Sequence, residues 1–243
     1  MKTSHLAIAA FGGLCALVAA LALFPQRFPQ SGIIRQKLRG QATTSDRVEQ
    51  YGSAVEARWR PFFQSAHLAY PPQKLIFVGL KQEKRLEVYA ANEGTPLRFV
   101  RSFAILAASG KTGPKLRLGD LQVPEGAYRI ESLNPNSAFH LALRVSYPSA
   151  QDRAQAALNG RTELGGDIMI HGSNASIGCL AMGDQAAEDL FVLAAQTSIE
   201  NIEVLLCPLD FRAGDVAPDP KRPEWVEARY MKLRAQLKRL PRD

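Results

Sequence analysis

The stretch between residues 75 and 207 is divided into short apolar or alternating segments, and this division limits the fold more than any other feature. Turn-forming clusters such as Asn92-Glu93-Gly94 and Asn134-Pro135-Asn136 separate the segments. Runs of this length, bounded in this way, are typical of strands. The seven predicted strands are Leu75–Leu80, Leu86–Ala90, Phe99–Leu106, Ala127–Ile130, His140–Tyr147, Asp167–His171 and Ile202–Cys207.

Seven short strands with few helices between them predict a mainly β, α+β fold. We expect antiparallel strands in a sandwich-like or barrel-like arrangement. One helix is predicted inside this fold, from about Gln185 to Gln196, with Asp184 as its N-cap.

An uncharged apolar run, Leu6–Phe24, lies near the N-terminus. At the rise of an α-helix these residues extend about 28 Å, close to the hydrocarbon thickness of a bilayer. We therefore predict a membrane segment in residues 1–24, either a retained inner-membrane anchor, which we favour, or a signal peptide cleaved after Ala22. Both place the rest of the chain in the cell envelope, on the periplasmic side, with residues 25–45 as a linker.

Helical segments are predicted on both sides of the β region. Residues 46–72 form a helical lead-in, whose helix starts at Asp46 and ends before Pro61. Residues 213–243 form a basic amphipathic tail with a helix from about Glu224. Its apolar stripe either packs on the protein's own domain, which we favour, or lies on anionic lipid. Arg229 is one of the basic residues that lie largely off this stripe.

The formal net charge is +7, from 30 Lys and Arg against 23 Asp and Glu, which favours an anionic environment. No motif that reads RNA or DNA accompanies this charge, so we expect no nucleic-acid partner. Gly110-Lys111-Thr112 resembles the end of a phosphate-binding loop, but Ile105 stands where that motif needs its first glycine. Nucleotide binding is therefore not predicted.

The segment from Asp167 to Asp184 carries the candidate chemistry. A predicted strand ends at His171, and a loop of small residues leads to Cys179. A loop of this kind can fold back tightly enough to pair the thiol with the imidazole as nucleophile and base. The backbone N–H groups of Gly178 and Cys179 are candidates for an oxyanion site, and a carbonyl in the turn after His171 is a candidate for orienting the ring.

Other roles for these residues remain open from the residues alone. Cys179 and Cys207 are a candidate disulfide pair in an oxidising compartment. His171 is a candidate core histidine at a strand end. A zinc site of His171, Cys179 and Asp184 lacks any recognised ligand spacing, so we expect no metal and no cofactor.

Several motifs resemble those of a known family. Ile170-His171-Gly172 and Ser176-Ile177-Gly178-Cys179 follow Gly113-Pro114-Lys115, Gly119-Asp120 and Pro124–Ile130 in the order found in the L,D-transpeptidase catalytic domain (YkuD-like). Leu133–Ser137, Phe139-His140, Tyr147-Pro148 and Gly178–Met182 are similar to its YafK-like branch. The resemblance extends over residues 73–212.

This resemblance implies a β-rich enzyme that acts on peptidoglycan stem peptides through a thioester. It implies Cys179 as the nucleophile, His171 as the general base and acid, and Gly172 as the residue whose carbonyl orients the ring. Cys207 is then a buried apolar residue rather than a disulfide partner.

Two positions depart from the commonest family motif, where Ile177 replaces a histidine and Ala181 replaces an arginine. The YafK-like branch shares both replacements and is associated with hydrolysis of the bond between diaminopimelate and a lysine of a murein-linked outer-membrane lipoprotein. We therefore expect an amidase of this kind. The alternatives are an L,D-transpeptidase, an L,D-carboxypeptidase and a non-catalytic wall-binding scaffold.

Overall fold

The computed structural model describes residues 40–241. The predicted membrane segment, Leu6–Phe24, and most of the predicted linker lie outside this range. Within residues 40–241, none of the helices combines the length and the apolar character needed to cross a bilayer.

The described chain contains nine strands in one sheet, in the spatial order β3-β2-β1-β9-β5-β6-β7-β8-β4. The strands are β1 (Lys74–Leu80), β2 (Arg85–Ala91), β3 (Arg98–Ala104), β4 (Ala107–Ala108), β5 (Gly126–Ser137), β6 (His140–Val145), β7 (Met169–His171), β8 (Leu180–Ala181) and β9 (Ile202–Cys207). The helices in the same range are α1 (Thr44–Ser65), α2 (Ala150–Leu158), α3 (Asp184–Thr197) and α4 (Trp225–Lys238), with a short 3₁₀ turn at Ile199–Asn201.

The sheet is mainly antiparallel, as predicted, but two of its eight strand pairs are parallel, so it is mixed. Strands β1 and β9 are parallel, and so are β7 and β8, while the other neighbours are antiparallel. Parallel neighbours need a crossover between them, because a tight hairpin can only reverse the chain. Residues 172–179 form the crossover from β7 to β8, and they carry the candidate nucleophile.

Strands β1 and β9 are covered on both faces. Leu75 and Phe77 belong to one apolar cluster, whereas Ile76 and Val78 belong to a second. The first cluster includes Trp59 and other residues of α1 and α3, and the second includes the apolar stripe of α4. This explains why β1 is a continuous apolar run rather than an alternating one.

Helix α1 runs through Pro61 to Ser65, so the predicted end before this proline is wrong. Val55, Trp59 and Phe63 lie on one face of α1 and are buried. The Trp59 indole N–H also donates to the Asp189 carbonyl of α3 at 3.0 Å. Burial of two aromatic side chains on either side of the proline outweighs the loss of one helical hydrogen bond.

Strand β5 contains Asn134-Pro135-Asn136, which was predicted to be a turn. The pairing register between β5 and β6 shifts between Asn134 and Ser137, and the chain reverses between Ser137 and His140 instead. A bulge leaves a residue unpaired, so a proline is tolerated there.

Helix α4 packs against the protein's own sheet, which confirms the prediction that its apolar stripe faces the domain. Val226, Tyr230, Leu233 and Leu237 are all buried in the second cluster. Arg229 differs from the prediction, because it is buried as well and forms an ion pair with Asp152 of α2 at 2.7 Å. A local pattern of charges cannot reveal a partner that lies on another helix.

Glu125 lies at the centre of a buried polar network between the sheet and α4. Its carboxylate accepts hydrogen bonds from Lys81 Nζ at 2.7 Å, from the Tyr230 hydroxyl at 2.6 Å and from Gly113 N–H at 2.9 Å. The Glu125 side chain is fully buried and is the counter-charge of Lys81, whose Nζ also donates to the carbonyls of Lys111, Gly113 and Val123.

We expect Glu125→Ala to lower the free energy of unfolding by about 3–5 kcal/mol, because it leaves the buried Lys81 ammonium without a counter-charge. Urea denaturation of the purified protein measures this change. The matched control is Glu203→Ala, since the Glu203 ion pair with Lys74 is solvent-exposed and is expected to contribute at most about 1 kcal/mol. Equal losses for the two variants would contradict the prediction.

Candidate active site

His171 is the last residue of β7 and lies inside the sheet. It is paired with Ala142 of β6 on one side and with Ala181 of β8 on the other, and only 2% of its surface is exposed. Its position is therefore fixed by backbone pairing on both sides.

The imidazole of His171 is held in one tautomer. Its Nδ1 lies 2.6 Å from the Gly172 carbonyl oxygen, and a carbonyl can only accept. The proton is therefore on Nδ1, which leaves the lone pair of Nε2 available to accept a proton. The Phe139 ring, from the β5–β6 hairpin, lies 4.8 Å from the imidazole centroid and restricts its rotation further.

Gly172 has no room for a side chain. A Cβ at this position would come within 2.6 Å of Asp184 Oδ1 and 2.7 Å of the Phe139 carbonyl oxygen. The Gly172 N–H donates to the Leu141 carbonyl at 3.2 Å, which continues the pairing with β6. Close packing therefore requires glycine at the position whose carbonyl orients His171.

Cys179 precedes β8 and lies on the same face of the sheet as His171. Ile170 pairs with Leu180 and His171 with Ala181, so extending the parallel register by one residue places Cys179 beside Met169. Met169 is two residues before His171, and alternate residues of a strand share a face. The strand spacing and rise then give a Cα separation between Cys179 and His171 of about 8 Å.

The thiol of Cys179 is half-buried and points toward the backbone in this arrangement. Its Sγ lies 3.5 Å from the Asp167 carbonyl oxygen, which accepts a weak hydrogen bond from the thiol. Transfer of the thiol proton to His171 requires the side chain to turn from Asp167 to the imidazole.

Two loop contacts that the sequence analysis missed fix the crossover that carries Cys179. The Ser176 hydroxyl donates to the Cys179 carbonyl at 2.7 Å and accepts from the Ser109 N–H at 3.1 Å. It also accepts a long hydrogen bond from the Gly178 N–H at 3.4 Å, so this candidate oxyanion donor already has a partner in the loop. Serine among small loop residues is a general signal for such contacts.

Asp184 is not the N-cap of α3, which corrects the prediction. Gly183 occupies the N-cap position, with a positive φ of 78°. The Asp184 carboxylate instead accepts the Ser173 N–H at 2.8 Å and so ties the start of the crossover to the start of α3. The acidic residue was recognised, but its partner lies in a loop whose path the sequence does not reveal.

The electrostatics of the site favour a neutral imidazole and a neutral thiol. Burial lowers the pKa of His171 below its ordinary value of 6.5, against a weaker opposite effect of its hydrogen bond to Gly172. Burial also raises the pKa of Cys179 above its ordinary value of 9.0. The charge of Asp167 adds to this rise, while the Met169 backbone and Lys115 oppose it. Near pH 7 the imidazole therefore has a free lone pair on Nε2, and the thiol still carries its proton.

We expect the rate of Cys179 alkylation by iodoacetamide to rise about tenfold per pH unit between pH 7 and pH 9, because only the thiolate reacts and its pKa is raised. Peptide mass spectrometry of the modified protein distinguishes Cys179 from Cys15 and Cys207. Cys207 is the internal control, because it is fully buried and should remain unmodified. A rate that is already constant below pH 7 would contradict a neutral resting thiol.

His171 is buried and hydrogen-bonded, as a core histidine at a strand end would be, whereas the candidate disulfide does not form. Cys179 and Cys207 are free thiols, and Cys207 is packed in the second apolar cluster. Among residues 40–241, no group of three or more His, Cys, Asp or Glu side chains is arranged to hold a metal ion. The structure places Cys179 beside the strand that ends in His171, whose ring is oriented by the Gly172 carbonyl.

Comparison with known proteins identifies the family. Residues 73–202 match the YkuD family, the L,D-transpeptidase catalytic domain, and the chain belongs to this family. The resemblance predicted from the motifs is thereby confirmed.

The chain is also similar to individual proteins. It is 36% identical over 113 residues to YafK of Escherichia coli (strain K12), which is provisionally named an L,D-transpeptidase; this match covers 46% of the chain and 43% of that relative. The chain thus spans less than half the length of the curated relatives it matches.

Solved structures match with low sequence identity. The helical cell shape determining protein Pgp2 from Campylobacter jejuni matches with a TM-score of 0.45 and 23% identity, over 57% of this chain and 49% of that chain. L,D-transpeptidase 1 of Mycobacterium tuberculosis matches with a TM-score of 0.32 and 17% identity, over 55% and 62% respectively.

Proposed function

We propose that this protein is a cysteine-dependent acyl-transfer enzyme acting on peptidoglycan stem peptides. Its proposed reaction is hydrolysis of the bond between diaminopimelate and a lysine of an outer-membrane lipoprotein. The observation that carries the proposal is the 2.6 Å contact between His171 Nδ1 and the Gly172 carbonyl, which leaves Nε2 available on the same face of the sheet as Cys179. Family membership supplies the substrate class.

The first half of the reaction forms a thioester. Nε2 of His171 takes the proton of Cys179, and the sulfur attacks the carbonyl carbon of the diaminopimelate–lysine amide. The tetrahedral intermediate then collapses, the C–N bond breaks, and His171 returns its proton to the departing lysine amine. The lipoprotein leaves with a free amine.

The second half releases the stem peptide. Water, deprotonated by His171, attacks the thioester carbonyl, the C–S bond breaks, and the thiol of Cys179 recovers its proton. The product is an unmodified diaminopimelate carboxylate. The neutral imidazole and neutral thiol of the resting site are the protonation states from which this sequence starts.

Two side chains support hydrolysis over transfer to a second stem peptide. Ala181, which stands where the commonest family motif has an arginine, is fully buried in β8. Ile177 is exposed within the crossover of residues 172–179 that carries Cys179, which we call the nucleophile loop. Neither position offers a cation to hold the carboxylate of an incoming acceptor peptide. Water is then the acceptor that needs no dedicated site.

The proposed location of this reaction is the periplasm. The chain is held in the inner membrane by Leu6–Phe24, or is released after cleavage at Ala22. Protease added to spheroplasts should degrade the domain in either case, whereas protection of the domain would contradict this location.

The test is mass spectrometry of products from sacculi that carry covalently attached lipoprotein, incubated with the purified full-length protein. Release of intact lipoprotein and an unmodified stem peptide, absent with Cys179→Ala, is expected. New cross-links would instead identify a transpeptidase, and shortened stem peptides an L,D-carboxypeptidase. Binding to sacculi without any change in mass would identify a non-catalytic scaffold.

A further inference from the structure

A cavity of about 800 Å³ opens beside the crossover that carries Cys179. The segment from Gly110 to Gln122 forms most of its wall, and Arg161 closes it from the other side. A cavity of this size is large enough for several atoms of a peptide side chain and backbone. No part of the mechanism described above uses it.

One residue of the cavity wall lies against the nucleophile loop. The carbonyl oxygen of Gln122, a lining residue, would lie 3.5 Å from a Cβ on Gly178, the residue before Cys179. Ser109, next to the cavity wall, donates its N–H to Ser176 in the same loop. A substrate whose carbonyl lies at Cys179 can therefore extend its neighbouring groups into the cavity.

The charge of the cavity is positive. Lys111 and Arg117 are exposed, and neither side chain has a hydrogen-bonding or ionic partner among residues 40–241. Arg161 is half-exposed and donates to the Leu116 carbonyl at 2.8 Å, a contact that leaves its charge uncompensated. The acid in the lining, Asp120, is already neutralised by Lys115 at 2.6 Å.

Three cations around one cavity repel one another unless an anion lies between them. Arginine and lysine side chains bind carboxylates through charge-assisted hydrogen bonds, which are stronger than neutral ones. Ala181 offers no cation to such a carboxylate, whereas Lys111, Arg117 and Arg161 all line the cavity.

We infer that Lys111, Arg117 and Arg161 form a carboxylate subsite for the donor peptide, the peptide whose carbonyl Cys179 attacks. This inference rests on the proposed function. Diaminopimelate has two carboxyl groups, of which one forms the bond to be cleaved and the other remains a free carboxylate. The subsite holds this second carboxylate and thereby selects peptides that contain diaminopimelate with the group unmodified.

Steady-state hydrolysis by the full-length protein tests the inference with two synthetic stem peptides. Both carry a lysine amide on the reacting diaminopimelate carbonyl, and they differ in whether the second carboxylate is free or amidated. For the wild type, we expect amidation to raise KM about tenfold with kcat changed less than about twofold. For Lys111→Ala/Arg117→Ala, KM for the free carboxylate rises by a similar factor, and the two peptides become equivalent.

Lys238→Ala is the matched control, because it removes one exposed positive charge at the end of α4. It should keep the wild-type preference for the free carboxylate. A wild type that does not distinguish the peptides, or a double variant that keeps the preference, would overturn the subsite while leaving the proposed reaction intact.

Binding to Cys179→Ala separates failure of the subsite from failure of the reaction. Fluorescence anisotropy with labelled versions of the two peptides measures Kd without turnover. A roughly tenfold weaker Kd for the amidated peptide, lost on adding Lys111→Ala/Arg117→Ala, supports the subsite even if no peptide is hydrolysed. Equal Kd values for both peptides would overturn it.

Discussion

Cys179→Ala should reduce kcat/KM for stem-peptide hydrolysis by at least about 10⁴-fold, because the proposed acyl intermediate forms on this thiol. The thiol is half-buried, and its contact with the Asp167 carbonyl is weak at 3.5 Å. Its removal should therefore change the free energy of unfolding by no more than about 1 kcal/mol. Product release measured by liquid chromatography, alongside a thermal melt, tests both parts.

Cys207→Ala is the matched control for this prediction. Cys207 is also a free thiol, but it is packed among apolar residues of the second cluster. Its substitution should lower stability by a cavity effect and leave kcat/KM within a few fold. If Cys179→Ala retained most of the turnover, the thioester mechanism would be wrong.

His171→Ala should reduce kcat/KM by about 10³- to 10⁴-fold, since the neutral thiol then has no base to accept its proton. The ring also packs against Phe139, with 4.8 Å between centroids, so the alanine variant loses some packing. His171→Gln keeps most of the volume and a donor for the Gly172 carbonyl but lacks a titrating nitrogen. Both variants should be comparably inactive while His171→Gln stays closer to the wild type in its melting temperature.

The double variant Cys179→Ala/His171→Ala provides the decisive comparison. Two residues that act as one unit lose most of the activity with the first substitution, so the double variant should be no slower than Cys179→Ala alone. Multiplicative losses would indicate that His171 acts independently of the thiol. A purely structural His171 would instead show activity that recovers in His171→Gln.

Predictions from local sequence were most accurate where a segment is apolar and flanked by turn residues. Strand β9 has the predicted bounds, Ile202–Cys207, and β1 begins one residue before the predicted Leu75. Both strands are central and buried on two faces, so their continuous apolar runs reflect their environment directly. Strands β4 and β8 contain two residues each and were not predicted, because segments this short carry no periodic signal.

Contacts between distant segments account for the wrong predictions. Arg229 is buried because Asp152 lies across from it, and Asp184 binds Ser173 rather than capping its helix. Helix α1 continues past Pro61 because Trp59 and Phe63 are both packed in the core. In each case a long-range partner outweighs a correct local preference.

The sequence by itself determined the residue types of the candidate site and the order in which they occur: a strand ending in His171, a loop of small residues, and Cys179. The sequence also placed Gly172 directly after His171, so that a neighbouring backbone carbonyl could be proposed as the group that orients the ring. Only the tertiary structure decided that β7 and β8 are parallel, which places both side chains on one face. It also brought Ser109 and Gln122 against the nucleophile loop, since strand direction and loop packing depend on contacts between residues far apart in the chain.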